Sequence, residues 1–152
     1  MNHFAEMLAS LFEERVKFLI VGGYALAAYG IPRATGDIDI WVEPTPDNAE
    51  RVFRSLLRFG APLKAHRVEI ADFMREDSIY QFGLPPQRID IVTSITGVTF
   101  AEAWENRINL SIMGILVDVI CQKDFIDNKK AVGRPKYLSD AAMVEEIIKS
   151  NL

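Results

Sequence analysis

The stretch Asp37-Ile38-Asp39-Ile40-Trp41-Val42 constrains this chain more than any other. Side chains alternate along an extended strand, so Asp37 and Asp39 share one face while Ile38, Ile40 and Val42 share the other. The apolar face belongs against a core, which leaves two carboxylates side by side on the opposite face. Arg88-Ile89-Asp90-Ile91-Val92 repeats the pattern. Should that strand neighbour the first, three carboxylates converge. At an effective dielectric near 20, two such charges ~4 Å apart repel by roughly 4 kcal/mol. A fold holds such a cluster through protonation or a bound cation. Carboxylate oxygens suit a hard ion such as Mg²⁺, commonly held by one or two carboxylates together with substrate phosphates. The competing reading is a solvated sheet face, on which Asp-apolar-Asp strands are ordinary.

The rest of the chain supplies alternating strands and helices. Phe4, Met7, Leu8, Leu11 and Phe12 predict an amphipathic helix over 3–14, capped by Asn2. A strand over 16–21 stops at Gly22-Gly23, and a short alanine-rich helix follows over 24–29. Thr45-Pro46 opens a helix whose buried stripe is Ala49, Val52, Phe53, Leu56 and Leu57, with Gly60 as the stop. Residues 61–77 read as loop with room for a short helix. Strands over 78–82 and 88–95 flank Leu84-Pro85-Pro86-Gln87 as a hairpin. Thr99 and Glu102 form a capping box for a helix to about Asn106. Strands over 108–113 and 115–120 and helices over 123–131 and 140–149 complete the chain, with Asp140 at the start of the last helix. The expected fold is one α/β (α+β) domain over residues 1–152, with a mixed sheet flanked by helices.

Composition removes several function classes. The 152 residues are 49% hydrophobic and 25% charged, enough to bury a core. A formal charge of -4 argues against sequence-blind coating of nucleic acid, which needs a basic surface. No apolar run approaches the ~20 residues of a membrane span, and no cationic leader is visible, so a cytoplasmic protein without membrane contact is expected. One cysteine, Cys121, and two histidines, His3 and His66, leave no internal disulfide and no zinc cluster. There is no Gly-x-Ser-x-Gly, no third glycine for a dinucleotide fingerprint and no Gly-Lys-Ser/Thr ending for a P-loop.

Other residues carry two readings each. Gly22-Gly23 ends a strand, or it exposes amides that cradle a phosphate. Arg33 and Thr35 stand just before the Asp pair and can reach phosphate or base; Thr35 can equally close the loop onto its own backbone. Lys129, Lys130, Arg134 and Lys136 put four positive charges into eight residues with no acid. They either decorate a helix end or neutralise a polyanion. Tyr24 can stack on a base or pack its helix. Trp41 lies on the Asp37/Asp39 face and lines a pocket or covers the sheet, whereas Trp104 reads as core. Cys121 reads as a buried thiol.

Together, Val21-Gly22-Gly23-Tyr24-Ala25-Leu26, Gly30, Arg33-Ala34-Thr35, Asp37-Ile38-Asp39, Arg88-Ile89-Asp90 and Asn128 to Lys136 resemble the nucleotidyltransferase superfamily related to DNA polymerase beta. Within it, they are most similar to a small prokaryotic branch like the abortive-infection (AbiEii-like, type IV toxin–antitoxin) nucleotidyltransferases. The resemblance implies a minimal nucleotidyltransferase fold with C-terminal helices. It implies a two-metal Mg²⁺ site, or Mn²⁺, on Asp37, Asp39 and Asp90. It also implies nucleotide binding by Gly22, Gly23, Arg33, Thr35, Lys129, Lys130 and Arg134. The implied activity moves an NMP from an NTP, with ATP taken from family habit, to the hydroxyl of a protein, an RNA or a small molecule. The alternative is a non-catalytic module of that fold, acting by binding within a toxin–antitoxin pair. The chain is short for the superfamily, which suggests a protein partner or a homodimer.

Overall fold

Caps written into the sequence set most of the element boundaries in the computed structural model, which describes residues 2–152. Helix α1 (His3–Glu13) starts where the Asn2 side chain accepts from the Phe4 amide at 2.8 Å. Strand β1 (Phe18–Val21) leads through Gly22 into α2 (Gly23–Ala28). After β2 (Asp37–Val42), Thr45 caps α3 (Pro46–Phe59), which ends on left-handed Gly60. A single 3-10 turn (Ile70–Phe73) occupies the segment read as loop with room for a short helix. Strands β3 (Ile79–Phe82) and β4 (Arg88–Val92) form the expected hairpin, in which Phe82 faces Ile89. Next come α4 (Phe100–Glu105), β5 (Ile108–Ile112), β6 (Ile115–Val119), α5 (Gln122–Val132) and α6 (Pro135–Ser150).

The strands make one mixed sheet in the order β3-β4-β2-β1-β6-β5. The β2–β4 and β1–β6 pairs are parallel and the other three are antiparallel. This is the α/β architecture anticipated from the sequence. Ile38, Ile40 and Val42 of β2 and Ile89 and Ile91 of β4 are fully buried. They share a face with Phe18 and Phe82, which meet Phe12 of α1 and Phe59 of α3 at ring-centroid separations of 5.6 and 5.9 Å. Buried Asn48 of α3 ties that layer to the sheet. It accepts from the Lys17 amide and donates to the carbonyls of Lys17 and Glu43. The opposite face carries the acidic residues; Phe100 of α4 packs on Trp41 there, Lys129 of α5 stands near Asp39, and α6 packs against α5. Among the described residues, no helix is long and apolar enough to cross a membrane.

Several boundaries differ from expectation. Helix α6 begins at Pro135, because a proline in the first turn has its φ already set and no amide to leave unpaired. Asp140 is therefore not a helix start; it lies inside α6, buried. Strand β4 stops at Val92, and only an isolated Ile95–Val98 bridge follows. Strand β1 begins at Phe18 rather than at residue 16. Leu57 is 57% exposed, since the inward stripe of α3 is Asn48, Ala49, Val52, Ser55 and Leu56. Ser55 fits that stripe because its hydroxyl donates to the Val52 carbonyl at 2.7 Å. Trp104 is half-buried rather than core, held between the cations of Lys17 and Arg107.

Candidate active site

Register brings the carboxylates together. Asp37 pairs with Arg88 and Asp39 with Asp90 across the parallel β2–β4 ladder. One oxygen from each of Asp37, Asp39 and Asp90 lies within 4.8 Å of the others. Three hard oxygen donors this close together could hold a metal ion. The electrostatic strain falls on Asp39. Burial first, then the charges of Asp37 and Asp90, push its pKa up to about 7, while the Lys129 ammonium pulls the other way. Asp90 is buried and is held by Gln81, whose amide nitrogen donates at 3.3 Å.

Arg88 neutralises part of the cluster from within. Its Nε and Nη2 donate to the two Asp90 oxygens at 2.9 and 3.1 Å, and Nη2 also donates to Asp37 Oδ2 at 2.8 Å. Hydrogen bonds and charge from Asp90, then from Asp37, raise the pKa of this guanidinium further. Arg88 precedes Asp90 by two residues and so shares its face. Sequence reading gave it no role, although that spacing was the available signal.

The glycine turn abuts the carboxylates. Gly22 has φ +70°, and a Cβ there would stand 2.2 Å from Asp39 Oδ2. A Cβ on Gly23 would lie 3.2 Å from Thr35 Oγ1, a tight contact. Only a bare backbone lets the turn approach the acidic strand this closely. The Thr35 hydroxyl donates to the Asp37 carbonyl at 2.8 Å, so this side chain closes the loop onto its own backbone.

A pocket of about 260 Å³ opens between this turn and the last two helices. Gly22, Gly23, Arg33, Thr35, Asp37, Asp39 and Lys129 all line it, as do three residues that sequence reading did not place in the site: Phe125, Tyr137 and Asp140. Lys136 lines it too. The Lys129 ammonium stands 4.5 Å from the Tyr137 ring centre and 5.3 Å from that of Phe125. Burial lowers its pKa, while Asp39 and Asp140 oppose that shift. Arg33 makes a two-pronged ion pair with buried Asp140 of α6. Lys130 and Arg134 are not among the lining residues. Lys130 pairs with Glu145 at 3.0 Å, and exposed Arg134 is the N-cap residue of α6.

The aromatic candidates separate as well. Tyr24 packs edge-on against Phe4, with ring centres 5.5 Å apart. Trp41 is buried against Phe100 on the carboxylate face, outside this pocket. Cys121 is half-buried, and its sulfur caps α5 by accepting from the Asp124 amide. No family model and no curated protein matches the chain.

Proposed function

We propose that the protein is a Mg²⁺-dependent nucleotidyltransferase that moves an NMP from an NTP, ATP in the first instance, to an acceptor hydroxyl. One observation carries this reading: Asp37 and Asp39, which cluster with Asp90 of the adjacent parallel strand, line a pocket that also holds a bare glycine turn and a partly buried lysine. The negative cluster and the lysines of the pocket stand close together, an arrangement suited to a metal-bound polyphosphate.

The residues divide the work. Asp37, Asp39 and Asp90 would hold Mg²⁺, which supplies charge neutralisation at the attacking and leaving oxygens of an in-line displacement. Backbone amides at Gly22 and Gly23 donate to phosphate oxygens, with no Cβ in the way. Lys129 and Lys136 offset triphosphate charge, and Tyr137 offers a face for the base. The acceptor oxygen attacks the α-phosphorus and its proton passes to Asp90. The bond from the α-phosphorus to the β-bridging oxygen breaks, and pyrophosphate leaves. Catalysis on this plan is mostly positioning and electrostatic stabilisation.

A second reading has its own support. Arg88 already occupies oxygens of Asp37 and Asp90, as a permanent internal cation would in a non-catalytic binding module. One titration separates the two. Thermal unfolding is followed with each NTP, with and without Mg²⁺, on the wild type and on Asp37→Ala/Asp39→Ala. A ligand at 100 times its dissociation constant stabilises a fold by about 2.7 kcal/mol. A Mg²⁺-dependent rise lost in the double variant is the expected result. No rise with any NTP would remove the enzyme reading and leave the binding module.

A further inference from the structure

The pocket that would hold the nucleotide contains a carboxylate outside the metal cluster. Asp140 of α6 lines it together with Arg33, Lys129 and Lys136. Its side chain is only 6% exposed, and it is not one of the three clustered aspartates. A buried anion in a pocket for a polyanion weakens binding unless its charge is cancelled. Asp140 is therefore either an obstacle to such a ligand or a means of organising the cations around it.

Its partners favour the second. Both Asp140 oxygens accept from the Arg33 guanidinium, Oδ1 from Nη2 and Oδ2 from Nη1. That fork leaves the remaining N–H groups of the arginine for an anion. The charge of Asp140 also acts on the Lys129 ammonium, as does that of Asp39. One carboxylate thus answers two cations that reach the pocket from different elements, the loop after α2 and helix α5. The backbone sets the direction of the effect. Asp140 stands inside α6, whose hydrogen bonds fix its Cα, whereas Arg33 stands between α2 and β2, outside helix and strand. A long side chain on such a segment has many rotamers, and freezing them on binding costs affinity. Among the described residues, this pair is also the only side-chain hydrogen bond or ion pair from α6 to anything beyond α5 and α6.

We propose that Asp140 is a positioning residue of the nucleotide site, holding the Arg33 guanidinium in place for the polyphosphate chain before the ligand arrives. This assignment rests on the nucleotidyltransferase reading. No step of the transfer passes through Asp140; its effect reaches the ligand through Arg33. A cation held in advance gains most from the ligand with the most charge, so the pair sorts nucleotides by phosphate number rather than by base.

Calorimetry on the full chain in Mg²⁺ compares ATP, ADP and AMP on the wild type, Asp140→Asn, Arg33→Met and the double variant. Each is measured below its own thermal transition. Asp140→Asn is expected to weaken ATP about tenfold and AMP by less than about threefold, with ADP between them. Arg33→Met should lose at least as much ATP affinity. The double variant should lose no more than Arg33→Met, because the acid acts only through the arginine. Arg33→Lys keeps the charge beside Asp140 and serves if Asp140→Asn does not fold. Lacking the fork, it should still weaken ATP several-fold. Equal losses for all three nucleotides in Asp140→Asn would mark a merely structural contact and overturn the proposal. Losses that add in the double variant, or wild-type ATP affinity in Asp140→Asn or Arg33→Lys, would overturn it too, and would leave the transferase reading standing. Absence of ATP binding by the wild type removes the transferase reading, and the role of Asp140 with it.

Discussion

Asp39 faces Asp90 directly across the parallel β2–β4 ladder, and no residue of opposite charge separates them along that rung. The neighbouring rung pairs Asp37 with Arg88, whose guanidinium reaches Asp37 and Asp90 but makes no hydrogen bond to Asp39. The cluster is thus unevenly neutralised, and the residual repulsion concentrates on one carboxyl.

Stability without metal should fall as pH rises from about 4 to 7. The Asp39 pKa stands near 7 in the fold, against about 3.9 in an unfolded chain. Between those values the folded state holds the extra proton, so each rise in pH favours unfolding. Below the lower value the effect is absent, and above the upper one the full penalty is in place. Asp39→Asn should flatten this part of the profile. Mg²⁺ should stabilise the wild type progressively more as pH rises through the same window. Melting temperature against pH in EDTA and in Mg²⁺ tests both.

Gly22→Ala should abolish nucleotide binding and destabilise the fold by about 2–3 kcal/mol. The new Cβ would sit 2.2 Å from an Asp39 oxygen, in a left-handed backbone that already disfavours a side chain. Gly30→Ala is the control, since Gly30 also has positive φ but a Cβ there meets nothing within 4 Å. It should cost only about 1–2 kcal/mol and leave binding intact. Equal effects of the two in urea unfolding and nucleotide titration would refute the close-approach account.

Arg88→Gln should lower the melting temperature in EDTA and enlarge the rise produced by Mg²⁺. The guanidinium holds oxygens of Asp37 and Asp90 that a cation would need, and removing it leaves buried Asp90 with Gln81 as its hydrogen-bond donor. A Mg²⁺ response no greater than that of the wild type would show that Arg88 and the metal do not compete.

Asp140→Ala should destabilise the protein by about 2–3 kcal/mol and weaken nucleotide binding. It removes the buried half of the Arg33–Asp140 pair, which ties α6 to the loop before β2. Urea denaturation and the thermal-shift titration provide the two readouts. Unchanged stability would mean the pair is broken in solution.

The sequence by itself determined local geometry. Alternation from Asp37 to Val42 placed the carboxylates on one face, because the period of a strand is two whatever surrounds it. Asn2, Thr45 and Gly60 bounded their helices through hydrogen bonds and backbone conformations that involve only near neighbours. The convergence of Asp90 with the Asp pair was legible only as a condition, since strand order is not a local property. Placing β4 beside β2 was a tertiary decision, and with it came the Arg88–Asp37 bond between residues 51 apart. The Arg33–Asp140 pair, 107 residues apart, was invisible for the same reason. Lys129 and Lys130 were candidates alike in the sequence, although adjacent helical residues point ~100° apart. Only the way α5 packs over the acidic face turns Lys129 into the pocket and leaves Lys130 to Glu145.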